Sequence, residues 1–97
     1  MMEQYTYIME FRVGTYVTQV EANSIDCSIS KWIEQIELEI DEIKHIGKKT
    51  LLELKKMSLN NLIENPIRLN RLSNVWYLGI YCKVGTMQIN IVNTKPL

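Results

Sequence analysis

Few residues in this chain are equipped for chemistry: one histidine, His45, two cysteines, Cys27 and Cys82, and the carboxylate run Glu34, Glu37, Glu39, Asp41 and Glu42. His45 is flanked by Lys44 and Lys48, positive surroundings that disfavour a metal ion, and it reads as a helix-end residue. Cys27 falls in the first turn of a predicted helix, where the helix dipole favours a thiolate. No histidine lies near it in sequence, so it reads as a small packing residue. Cys82 belongs to the apolar side of a predicted strand and reads as inert core. The two cysteines lack CxxC spacing, and free thiols are expected. No nucleophile has a neighbouring base, and no glycine-rich loop could cradle a phosphate. An enzyme is therefore not expected, nor a cofactor, nor a metal.

The carboxylates are the strongest charged signal. Five occur between Glu34 and Glu42 with no cation among them, and Lys44, Lys48, Lys49, Lys55 and Lys56 follow. The formal net charge of zero thus conceals a divided surface. Two readings stand side by side: a solvated helix face balanced by the lysines, or a docking patch for a basic partner, where an acidic stripe speeds association and occupies a site built for phosphates. A second candidate is a sheet face carrying Tyr77, Tyr81, Gln88 and Asn90, aromatic and amide groups of the kind found at recognition surfaces. An ordinary solvated sheet, or one covered by a loop or a second subunit, explains the same residues. The face lacks a basic-aromatic RNP-like motif, and Arg68 and Arg71 are too few for a phosphate-binding patch, so nucleic acid is not an expected partner.

These groups need elements to hold them. Tyr5 to Ala22 alternates as two strands about Val13-Gly14, with Gly14 expected to supply a positive φ. A two-residue loop there sets Phe11 against Tyr16, Met9 against Thr18 and Tyr7 against Val20, making one face largely apolar. The other face carries Ile8, Glu10, Arg12, Thr15, Val17 and Gln19. Asn74 to Thr94 repeats the device at Val84-Gly85, which would pair Cys82 with Met87, Ile80 with Ile89 and Leu78 with Ile91.

Between the hairpins, Asn23-Ser24 offers an N-cap and Asp26 a first-turn acid. Ile25, Ile29, Trp32, Ile33, Ile36, Ile40 and Ile43 recur in steps of three and four, predicting a helix from Ile25 to Ile46 with Gly47 as its C′ residue. The alternation Glu37-Leu38-Glu39-Ile40 competes and would end it near Glu37. A second helix is expected from Lys48 or Thr50 to about Met57, packing through Leu51, Leu52 and Leu54. A capped extra turn from Ser58 to Ile63 would follow, then a connector from Ile67 to Ser73. The whole, residues 1–97, reads as a single α+β domain of order ββ-α-α-ββ: a four-stranded, mainly antiparallel sheet with the helices packed on one face.

The run FRVGTYVTQVEANSIDCSISKW, with NVWY and INIV later, resembles a group of small bacterial α+β proteins, some of which are similar to immunity proteins of polymorphic or contact-dependent toxin systems. The resemblance covers the two hairpins and the first helix and leaves Leu38 to Asn70 outside. It implies a protein that binds and neutralises a cognate toxin domain, often a nuclease, in the cytosol. It assigns no residue a role. The residues also fit a homodimeric structural or regulatory domain joined through a strand edge or the open sheet face. The N-terminal stretch has neither a basic n-region nor a long apolar run, so a cytoplasmic protein without a membrane span is expected.

Overall fold

In the computed structural model, which describes residues 2–94, the chain forms a five-stranded antiparallel sheet with two helices. The elements are β1 (Glu3–Phe11), β2 (Gly14–Ala22), α1 (Ile25–Leu38), a single 3-10 turn (Ile40–Glu42), α2 (Lys48–Leu59), β3 (Ile67–Arg68), β4 (Val75–Cys82) and β5 (Gly85–Asn93). The strand order is β2-β1-β5-β4-β3, so the first and last long strands are neighbours inside the sheet. The α+β class and antiparallel sheet agree with the sequence pattern. The fifth strand does not: Ile67–Arg68 lies in the expected connector, a two-residue strand too short to show an alternation, pairing with Tyr77 and Trp76 of β4.

Both hairpins turn one residue earlier than their glycines suggest. The loops are Arg12-Val13 and Lys83-Val84, closed by the pairs Phe11–Gly14 and Cys82–Gly85. Tyr5 therefore faces Val20, Tyr7 faces Thr18 and Met9 faces Tyr16, while Leu78 faces Ile89 and Ile80 faces Met87. Each partner is displaced by two residues from the expected register. A displacement of two leaves every side chain on its expected face.

Those faces decide the packing. Tyr5, Tyr7, Met9, Phe11, Val20, Leu78, Ile80, Met87, Ile89 and Ile91 are buried beneath the helices together with Trp32, Ile33, Ile36 and Leu54. Tyr7 stacks on Trp32, ring centroids 5.0 Å apart and planes inclined by 17°. Its hydroxyl donates to Ser28 Oγ at 2.6 Å, and Ser28 Oγ donates in turn to the Ile25 carbonyl at 2.6 Å, so α1 is pinned to the sheet by a satisfied polar relay. Burial raises the Tyr7 phenol far above its ordinary pKa.

Helix α1 starts as expected: Ser24 is the N-cap, its Oγ accepting from the Cys27 N–H at 3.2 Å. It ends at Leu38, eight residues short of the expected Ile46 and close to the competing reading. The helix dipole opposes this end, which leaves Glu37 and Glu39 at the negative pole with no basic residue in the last turn, whereas a helix continued to Ile46 would carry Lys44 there. The early end is tied instead to packing. The 3-10 turn and the extended Ile43 then redirect the chain so that Ile43 and Ile46 both enter the core. Gly47 is accordingly the N-cap of α2, not a C′ residue of α1.

Helix α2 packs through Thr50, Leu51 and Leu54, whereas Leu52 points to solvent. It closes in a Schellman motif: Leu62 N–H donates to the Met57 carbonyl at 2.9 Å, Asn61 N–H donates to the Ser58 carbonyl, and Asn61 takes a φ of 54°. No further helical turn follows Ser58, because this motif ends the helix. None of the helices among the described residues is long and apolar enough to cross a membrane.

Candidate functional site

The early end of α1 rebuilds the acidic feature. Glu34 and Glu37 lie on the outer side of the helix, Glu39 is its C-cap, and Asp41 and Glu42 project from the 3-10 turn. The single helical stripe expected for them does not exist. Three of the five are engaged: Glu37 pairs with Lys55 at 2.8 Å, Glu34 approaches Lys31 at 3.8 Å, and Glu39 accepts a hydrogen bond from the Gln35 amide. Asp41 and Glu42 are exposed, with no ion pair among the described residues. The surface pairs are too solvated to neutralise the patch.

Two features of this region were not legible in the sequence. Leu38 stands 80% exposed between Glu37 and Glu39 in the chain, an apolar side chain within the acidic segment. On the sheet side, the Tyr16 hydroxyl is buried without a well-formed hydrogen bond, and its pKa is pushed up to about 12 by burial and by the nearby charges of Glu39 and Glu42. The carboxylate field thus reaches from the helix end to β2.

The open sheet face brings the expected residues together in part. Tyr77 faces Asn90 across β4 and β5, Gly79 faces Gln88, and Tyr81 faces Thr86. Tyr77 folds over Gly79, where an added Cβ would lie 3.2 Å from the phenol oxygen, so Tyr77 is half-buried and Tyr81 is the exposed ring at 73%. A row of side chains, Val17, Ile8, Asn90, Tyr77 and Ile67, crosses all five strands, uncovered by either helix. One end of the face is tied by hydrogen bonds among Gln19, Thr6, Thr94 and Gln4. At the other end, Gln88 borders an open depression of about 390 Å³ beside Glu10, Arg12 and Thr86.

His45 and Cys82 are packed into the fold, and Cys27 is not. His45 is set against Gly14, and its Nε2 is buried without a partner. Cys27 is exposed and free, not the packing residue its sequence position suggests; the neighbouring Ser28 takes the buried side of the first turn. Cys82 is half-buried, its thiol raised to about 11 by burial and then by the Glu53 charge. Among the described residues, no three His, Cys, Asp or Glu side chains are grouped so as to hold a metal ion.

No protein-family profile, curated protein or solved structure matches this chain.

Proposed function

We propose that this protein is an immunity protein that binds a cognate toxin domain and neutralises it, using the acidic end of α1 as its principal contact. The observation that carries this reading is Leu38, an exposed apolar side chain at the end of α1 within the chain segment that carries the exposed carboxylates Glu34, Glu37, Asp41 and Glu42. Apolar and charged groups exposed together suit a protein-binding surface, and the sign of the charge selects a basic partner. A nuclease presents such a surface where it holds phosphates. Carboxylates docked there would compete with nucleic acid and accelerate encounter. Tyr77, Tyr81, Gln88 and Asn90 form a second contact surface in this reading.

Co-expression of the chain with the product of the adjacent upstream reading frame tests it. The expected result is toxicity of that product alone and protection by the chain. Reversal of charge in Glu37→Lys, Asp41→Lys is expected to weaken binding by about a hundredfold, mostly through slower association in low salt. Full protection by the reversed variant would remove the acidic face from the reading, and a harmless upstream product would remove the toxin.

A further inference from the structure

We propose that β2 is a dimerisation strand: two copies of this chain pair antiparallel along β2 about a two-fold axis at Thr18, joining two five-stranded sheets into one of ten strands. This strand borders the acidic end of α1, since Tyr16 lies near Glu39 and Glu42, but the inference does not depend on a toxin partner.

The two edges of the sheet are treated differently. At one, β3 is two residues long, directly follows Pro66 and carries Arg68, all features that discourage strand addition. At the other, β2 runs for nine residues in unbroken register with β1, without a bulge or proline, and Glu21 is its only charged residue. A long, straight, nearly uncharged edge invites pairing.

Register fixes which groups it offers. The two-residue loop is closed by Phe11 and Gly14, so hydrogen-bonded pairs recur at Met9–Tyr16, Tyr7–Thr18 and Tyr5–Val20. Thr15, Val17, Gln19 and Glu21 therefore turn their N–H and C=O groups outward. No backbone hydrogen bond reaches these residues from outside the hairpin among the described residues.

The strand also suits its own copy. Thr18 is the middle residue of Gly14–Ala22, and a two-fold axis there alone pairs the strand along its full length. Val17 then faces Gln19 of the second copy, Tyr16 faces Val20, and Glu21 faces Thr15. The sole charge meets a hydroxyl, and the two Glu21 carboxylates sit at opposite ends of the junction. Tyr16 and Val20 lie on the helix-covered side, so the two cores become continuous, while Val17 and Gln19 extend the open face.

Sedimentation equilibrium on the whole protein tests this. A concentration-dependent dimer is expected, with the amide hydrogens of Thr15, Val17, Gln19 and Glu21 exchanging more slowly as concentration rises. Gln19→Pro removes an outward donor while leaving the β1 ladder intact, and should give a monomer. Should that variant not fold, Val17→Lys with Gln19→Lys sets lysine against lysine on an exposed face and should weaken association by about a hundredfold. An equal mixture of that chain with one carrying Val17→Glu and Gln19→Glu should dimerise again. A wild-type protein that stays monomeric, or a folded lysine variant as dimeric as wild type, overturns the proposal.

Discussion

The two hairpins carry nearly the same turn, Arg12-Val13-Gly14-Thr15 and Lys83-Val84-Gly85-Thr86, and they spend their glycines differently. In the first, Arg12 and Val13 themselves take positive φ, 49° and 65°, the pattern of a type I′ turn built without glycine or asparagine. Gly14 is needed for space: an added Cβ would lie 2.6 Å from His45 Nδ1. In the second, the only positive φ belongs to Gly85, at 153°, where a side chain is strained whatever room surrounds it. One glycine answers to a neighbour and the other to its own backbone. A shared motif therefore does not imply a shared constraint.

The contrast can be broken experimentally. The largest effect is expected for Gly14→Ala, a loss of about 3 kcal/mol from overpacking against His45, measured by urea unfolding. Much of that loss should disappear in the background of His45→Ala, because the clash has one partner. Gly85→Ala should cost about 2 kcal/mol through backbone strain. Trimming its nearest neighbour with Phe11→Leu should not restore it. If both glycine variants are rescued by their neighbours, the distinction fails.

Smaller effects sharpen the same comparison. Replacing Arg12-Val13 by Asn-Gly should stabilise the protein by about 1 kcal/mol, since a β-branched residue at positive φ is relieved. The same replacement at Lys83-Val84 should give no gain. The second turn is held to α2 instead, its Lys83 N–H donating to the Glu53 carboxylate at 3.2 Å. Glu53→Gln should cost about 1 kcal/mol. It should also lower the Cys82 pKa, because burial raises it first and the Glu53 charge second. The sign follows directly: with the carboxylate gone, thiolate forms at lower pH, and Cys82 should be alkylated faster at pH 9 than in the wild type.

The sequence showed faces better than registers, and a period of two explains why. Alternation at Tyr5, Tyr7, Met9 and Phe11 marks the buried side whatever the loop, while a slip by two residues leaves no trace in polarity. Gly14 and Gly85 draw the loops one residue too late: Gly14 reads as the positive-φ residue of its turn, whereas Arg12 and Val13 take that conformation, and Gly85 takes its positive φ just after the loop. The end of α1 was visible only as a competing alternation at Glu37 to Ile40, since isoleucine spacing continued through Ile43 and Ile43 is buried by a different route. At the candidate site, the carboxylates were evident from composition. Leu38 was not, because an apolar residue next to a predicted core stripe gives no sign that the chain will turn beneath it.

The central place of β5 bears on how the molecule comes into being. β5 lies between β1 and β4, with Met9 directly opposite Ile89 and Tyr7 opposite Ile91. On the ribosome, the first hairpin and α1 emerge with the inner edge of β1 unoccupied, and it stays so until the second hairpin has been made. The core of such a sheet is complete only once the second hairpin has met the first, a pairing between segments far apart in the chain of the kind that folds slowly.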